Sequence, residues 1–279
     1  MYKITLRNGV EIPCLGFGTW QVNDGDEAYN SVLHALKRGY THIDTASAYG
    51  NEESVGRAIK DSGIPREKLF ITTKLWNDVR GYNETIDAVN ESLRKLGLDY
   101  IDLYLIHWPN PVKYRDNYIE MNRISYKAME DLYKQGKIRA IGVSNFLVHH
   151  LEELMETCEI IPMVNQIRLF PGLRQDEVIE YCKKHNIRIE AYSPFGTGKI
   201  FDVEELKTLT NKYNKSVAQI CLRYSLEKGY IPLPKSVTPS RIESNIDVFD
   251  FALDKEDIEL LDNLPNYVSP LKDIDNINY

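Results

Sequence analysis

The sequence predicts an α/β protein, a (β/α)8 TIM barrel with an N-terminal β-hairpin closing its bottom, and three observations carry that prediction. Short apolar runs alternate with amphipathic helical patterns eight times along 279 residues. The runs are apolar throughout rather than at every second residue, as parallel strands buried on both faces require. No composition break, low-complexity tract or linker divides the chain, so residues 1–279 are expected to form one domain.

The hairpin comes first. Tyr2 to Leu6 and Glu11 to Pro13 flank Asn8-Gly9, a pair suited to a type I′ turn because both positions tolerate positive φ. The apolar runs follow: Leu15 to Gly18, Thr41 to Asp44, Leu69 to Lys74, Ile101 to His107, Ile138 to Ser144, Met163 to Ile167, Ile187 to Ser193 and Ile231 to Ser236. Between them, Asn83 to Leu96 places Ile86, Val89, Leu93 and Leu96 on one helical face. Asp26 to Arg38 ends in Lys37-Arg38-Gly39, cations in the last turn followed by a glycine suited to a left-handed cap. Ser216-Val-Ala-Gln219 is a capping box that opens another helix. The longest loops are expected over Trp108 to Asn122 and Phe195 to Asp202. A doubly wound nucleotide-binding fold is the alternative. Its only glycine-rich candidate, Gly16-Phe-Gly18-Thr-Trp-Gln21, puts Gln where the fingerprint needs a third small residue.

Composition narrows the class of function. No apolar run approaches the roughly 18 residues of a membrane span, and the N-terminus lacks the apolar core of a signal peptide. A cytoplasmic protein without a membrane partner is expected. A formal charge of −7, with no lysine/arginine stripe interleaved with aromatics, argues against nucleic acid. Cys14, Cys158, Cys182 and Cys221 form no Cys-x-x-Cys pair, so reduced thiols are expected and no metal site.

In a barrel of this type the site is built where strands end. The runs lead in turn to Thr19-Trp20, Asp44 and Tyr49, Lys74, His107, Ser144-Asn145, Asn165-Gln166, Tyr192-Ser193 and Lys235-Ser236. Each alone has a structural explanation: a turn cap, a half-buried aromatic, a solvated lysine, a core histidine. Asp44, Tyr49, Lys74 and His107 together, at the rim of three consecutive strands, point to chemistry. A lysine ammonium beside a buried phenol stabilises the phenolate and lowers its pKa from roughly 10. Asp44 paired with Lys74 keeps that ammonium charged, and a neutral His107 orients a substrate carbonyl. Such a set protonates an oxyanion while something else delivers a hydride to carbon.

The hydride source has its own signal. Thr238 is placed to cap a helix with Pro239 at its first position, and free amides there lie beside Lys235, Ser236 and Arg241. That is an anion site suited to the 2′-phosphate of NADP, although a capped surface helix with incidental basic residues has the same pattern. Trp20, Trp76 and Trp108 each follow a strand-end polar residue and are expected to line an apolar substrate pocket. Tyr192 is placed to present its flat face to a nicotinamide ring.

These residues together are similar to the aldo-keto reductase superfamily. Asp44, Tyr49, Lys74 and His107 match its tetrad. The surrounding text matches as well: Leu15-Gly-Phe-Gly-Thr-Trp20, Asp44-Thr-Ala-Ser-Ala-Tyr-Gly-Asn51, Thr73-Lys-Leu-Trp76, Leu105-Ile-His-Trp-Pro109, Gly142-Val-Ser-Asn-Phe146, Asn165-Gln166, Tyr192-Ser-Pro194 and Lys235 to Asn245. The resemblance implies NADPH-dependent reduction of a small carbonyl substrate, with Tyr49 as general acid tuned by Lys74 and Asp44. His107 would orient the carbonyl, with Trp20, Trp76 and Trp108 around the substrate. Ser144, Asn145 and Gln166 would hold the carboxamide and Tyr192 would stack on the ring. Ser193, Pro194 and Phe195 would approach the pyrophosphate, and Gly18, Thr19, Trp20 and Asp44 would border the cofactor. Lys235, Ser236, Val237, Thr238, Arg241 and Asn245 would bind the adenosine and its 2′-phosphate. The resemblance also implies a monomer.

Two departures from the family stand out. Ser244 occupies a position where many members carry Glu, and both the loop after Tyr192 and the tail after Leu264 are short. The compact microbial form is expected, with fewer lid contacts, a more open pocket and loose choice among glyoxals, small aldehydes, β-keto esters and keto-sugars. Two other readings remain: an NADPH-binding sensor with negligible turnover, and a Schiff-base aldolase using Lys74.

Overall fold

The structure is a computed structural model and describes residues 1–268 and 270–279. Strands β1 (Lys3–Thr5) and β2 (Glu11–Pro13) form an antiparallel hairpin. Eight parallel strands follow in sequence order: β3 (Phe17–Gly18), β4 (His42–Asp44), β5 (Phe70–Leu75), β6 (Ile101–Ile106), β7 (Ile138–Ser144), β8 (Val164–Arg168), β9 (Arg188–Tyr192) and β10 (Ile231–Leu233). The first and last meet, because Gly16 N–H donates to Pro232 O and Gly18 N–H to Pro234 O. The sheet is therefore a closed barrel. Glycine is needed at this seam: a Cβ on Gly16 would stand 2.5 Å from Leu233 Cδ2 and 2.7 Å from His42 Nδ1.

The helices on the outside are α1 (Asp26–Lys37), α2 (Glu52–Asp61), α3 (Tyr82–Leu96), α4 (Tyr118–Lys134), α5 (Val148–Met155), α6 (Asp176–Lys184), α7 (Glu204–Tyr213), α8 (Val217–Glu227), α9 (Pro239–Ile246) and α10 (Lys255–Asp262). In α3, Val89, Leu93 and Leu96 are buried against the barrel, as their spacing predicts. Helix α1 is followed by Gly39 at φ +97°, and Ser216 and Gln219 cap α8 reciprocally. The hairpin covers the barrel bottom: Leu6 and Ile12 are buried in a cluster with Phe70, Leu103, Leu105 and Ala140.

Several local expectations are corrected. The hairpin turn is not type I′, since only Gly9 takes positive φ; Gly9 N–H donates to Leu6 O and Leu6 N–H to Val10 O, a type I turn closed by a glycine bulge. Asn8 instead spends its side chain on Val10 N–H and Arg139 O. The last strand stops at Leu233, because Pro232 and Pro234 have no N–H to extend a ladder. The two expected loops contain short 3-10 helices at Val112–Asn117 and Gly196–Asp202.

The tail departs most from expectation. After α10 it folds back over the barrel mouth, where the Tyr279 ring stacks on Trp76 at 6.1 Å and meets Trp108 edge-on at 5.3 Å. Ile274 and Ile277 bury against Trp108, and Asn110 Nδ2 donates to Asp275 O. A short tail still covers the mouth, because aromatic contact needs few residues.

Candidate active site

The buried centre of the site is an ion pair. Asp44 closes β4 and Lys74 lies near the end of the adjacent β5, and both are buried. Lys74 Nζ lies 2.8 Å from Asp44 Oδ1, 2.9 Å from Oδ2 and 2.8 Å from Thr45 O. An ammonium this deep requires such a complete set of acceptors. Burial alone would lower the Lys74 pKa, but Asp44 and Tyr49 outweigh it and leave the pKa raised. Lys74 is therefore a cation.

Tyr49 sits on a 3-10 turn, Ser47–Tyr49, that follows β4 and is anchored by Ser47 Oγ donating to Lys74 O. Its hydroxyl is 3.4 Å from Lys74 Nζ. The expected net lowering of its pKa is corrected: burial raises it, Lys74 pulls it back, Asp44 adds to the rise, and the balance stays above 10.0. The phenol is thus neutral, with its proton in place. His107 follows β6 and packs edge-on to Tyr49 at 5.7 Å and to Trp76 at 5.1 Å. Burial, then Lys74, then Arg80 hold its pKa well below 6.5, so the imidazole is neutral.

A second chain of polar groups rings this centre. Tyr192 Oη donates to Asn145 Oδ1 at 2.8 Å, Asn145 Nδ2 donates to His107 O and Ser144 Oγ, and Ser144 Oγ donates to Gln166 O. Asn145 adopts φ +62°, which lets its amide reach back beneath His107. Gln166 Nε2 donates to both Asp44 Oδ2 and Glu190 Oε2, each at 2.8 Å.

These residues surround a cavity of about 1500 Å³ at the mouth of the barrel. Of the residues singled out from the sequence, all but Thr19, Lys74 and Asn165 reach its wall, and the buried Asn165 donates through Nδ2 to Phe146 O instead. Thr19 is fully buried and donates through Oγ1 to Asp44 O, while Lys74 lies beneath Asp44 and Tyr49. Trp20, Trp76 and Trp108 all face the cavity, with Trp20 46% exposed and Trp108 buried. At the opposite end, Lys235, Ser236, Val237, Thr238, Arg241, Ser244 and Asn245 form the wall. Thr238 stands at the N-cap of α9 but its hydroxyl does not cap it; Ser236 Oγ accepts the Thr238 N–H instead. Among the described residues, neither Lys235 nor Arg241 has a carboxylate partner, so both charges are free for an anion.

Sequence reasoning missed several residues. Arg80 is buried and donates to the carbonyls of Trp76, Val79 and Trp108. Asn51 is buried, accepts from Thr45 Oγ1 and donates to Thr19 O and Val22 O. Glu190 carried a visible signal, a carboxyl inside the apolar run of β9. Arg168, Lys272 and Tyr279 also line the cavity, and nothing in the sequence of the tail announced it.

The model of the aldo/keto reductase family matches residues 14–266. The chain belongs to the aldo/keto reductase family. It is 51% identical to a glyoxal reductase of Bacillus subtilis over 94% of this chain and 92% of that one. A solved aldo-keto reductase from a deep-sea metagenome superposes with a TM-score of 0.93 at 46% identity, covering 99% of this chain and 100% of the other. A Bombyx mori aldo-keto reductase solved in complex with NADP matches at a TM-score of 0.86 and 38% identity, covering 96% and 98%. The expected enzyme class, an NADP(H)-dependent oxidoreductase, follows from membership in the aldo/keto reductase family. No helix among the described residues is long and apolar enough to cross a membrane.

Proposed function

We propose that this aldo/keto reductase reduces small aldehydes and ketones with NADPH, with dicarbonyls of the glyoxal type as the first substrates to try. The observation that carries the reading is the Lys74 ammonium, held by Asp44 and 3.4 Å from the Tyr49 hydroxyl on the wall of a cavity lined by Trp20, Trp76 and Trp108. The relative named glyoxal reductase supports the substrate class.

The cavity fits the cofactor chemically. Lys235 and Arg241, without carboxylate partners among the described residues and beside the first amides of α9, suit a phosphomonoester. Tyr192 offers a half-buried ring on the same wall as Asn145 and Gln166. When bound, NADPH supplies the hydride that reduces the carbonyl carbon. The residues supply the rest. Tyr49 gives its proton to the carbonyl oxygen, and Lys74 stabilises the phenolate left behind. Asp44 keeps Lys74 charged and aimed. His107 Nδ1 is buried without a partner, so the neutral ring meets the carbonyl through Nε2 and orients it.

Steady oxidation of NADPH with glyoxal, methylglyoxal and a panel of aldehydes and β-keto esters, run beside NADH, tests the reading. Turnover with NADPH that exceeds turnover with NADH is expected. NADPH binding without turnover on any carbonyl would replace it with a sensor.

A further inference from the structure

Glu190 lies in the middle of β9, in the interior of the barrel, and is fully buried. It touches neither the cavity nor the Tyr49 hydroxyl. Among the described residues its one side-chain hydrogen bond is to Gln166, whose Nε2 is 2.8 Å from Glu190 Oε2 and 2.8 Å from Asp44 Oδ2. An amide NH2 has two hydrogens, and here each carboxyl takes one. Reversing the amide would set its oxygen against the Asp44 carboxylate in the buried interior, where that repulsion is least screened. Both hydrogens therefore point into the barrel, and Gln166 Oε1 is left for the cavity.

The surroundings of Glu190 decide its protonation. From β4 it is faced by Asp44 and His42, from β5 by Lys74, and from β8 by Gln166; Ile231 of β10, in register beside it, adds only apolar surface. One ammonium, Lys74, serves two carboxyls, and its contacts are spent on Asp44, Thr45 O and Tyr49. Among the described residues Glu190 Oε1 has no hydrogen-bond partner, and it stands 3.5 Å from His42 Nε2. A carboxylate oxygen in that position would be an unpaired charge; a carboxylic acid needs no countercharge.

We propose that Glu190 is a positioning residue: as a neutral acid it holds the Gln166 amide with Oε1 toward the cavity, and leaves the Lys74 charge to Asp44 and Tyr49. The consequence for ligand recognition rests on the reading that Gln166 receives the carboxamide of NADPH. An acceptor facing the cavity binds the NH2 of that carboxamide and rejects a carboxylate in its place. Burial first, and the Asp44 charge second, push the Glu190 pKa up to about 8, while burial and Lys74 push His42 down to about 3.

Two variants and two readouts test the inference. Glu190→Gln keeps an acceptor for Gln166 but removes the titration; Glu190→Leu removes both. The NADPH dissociation constant, read by quenching of protein fluorescence, is expected to rise less than about threefold in Glu190→Gln and about tenfold or more in Glu190→Leu, the scale of one buried hydrogen bond left unmade. Equal binding in Glu190→Leu and wild type overturns the positioning role. Urea unfolding against pH needs no cofactor. An acid whose folded pKa is raised contributes stability that is present below about 4.5 and lost as pH rises through about 8. That loss is expected in wild type and absent from Glu190→Gln; identical slopes overturn the neutral acid. Should Glu190→Leu not fold, Glu190→Gln decides by the same slope and by a fluorescence titration at pH 6 and 9. Wild type that binds no NADPH would sink the proposed function, and the unfolding slope would still judge Glu190.

Discussion

Lys74 Nζ lies 3.4 Å from the Tyr49 hydroxyl, a distance at which the ammonium already interacts with the phenol and can tighten onto a phenolate. In the reaction proposed above, this pair defines which atom gives up a proton. Tyr49→Phe keeps the ring and its edge contact with His107 and removes only that proton. Its kcat is expected to fall by about 10²–10⁴, with the NADPH dissociation constant within about twofold of wild type. Single-turnover and binding measurements check both, and an active Tyr49→Phe would remove the residue from the mechanism.

Arg80 joins the two tryptophan loops through its bonds to Trp76 O and Trp108 O, at 2.8 and 2.7 Å, with no carboxylate partner among the described residues. Arg80→Met leaves those carbonyls without a donor. A loss of about 3 kcal/mol of stability is expected, together with a raised KM for carbonyl substrate and little change in NADPH affinity. Because two of the three tryptophans are held this way, their emission should shift as well. An unshifted spectrum with unchanged KM would assign Arg80 to stability alone.

Arg241 and Lys235 stand at the far end of the cavity without carboxylate partners among the described residues. If Arg241 meets the 2′-phosphate, Arg241→Ala weakens NADPH by about tenfold or more, the scale of a charge-assisted hydrogen bond. NADH, which lacks that phosphate, should change far less. Parallel titrations with the two nucleotides give the answer, and equal weakening would contradict the contact.

Three buried histidines set the acid limit of stability. His42 is pushed to about 3, His150 to about 4, and His107 well below 6.5, in each case chiefly by burial. A histidine whose folded pKa is depressed contributes stability that is fully present above 6.5 and is lost as pH falls toward the folded value, because only the unfolded chain takes up the proton. Unfolding free energy measured in urea is therefore expected to drop between pH 6.5 and 4. Glu190 works in the opposite direction above about 4.5, so Glu190→Gln should show the acid loss most plainly. A flat profile there would mean that the histidines are solvated.

Much of the fold is legible in the chain because parallel strands buried on both faces leave continuous apolar runs, and the residue that ends each run is polar for a reason. Asp44, Lys74 and His107 could be read that way, and so could Tyr49, which follows its strand by a short turn. Strand limits were less legible: Pro232 and Pro234 cut β10 short, and Asn8 escaped positive φ because a glycine bulge closes the turn.

By itself the sequence determined the barrel, the polar residues that close its strands and the cation-rich helix start, since each follows from local pattern, backbone chemistry or residue type. Only the tertiary structure decided that the tail lays Tyr279 on Trp76, that Arg80 ties two loops together, and that Gln166 is gripped by Asp44 and Glu190. Those contacts join residues far apart in the chain, and no local spacing encodes them. They arise when barrel closure brings β4, β8 and β9 around one dry interior, where every buried polar group must find a partner or give up its charge.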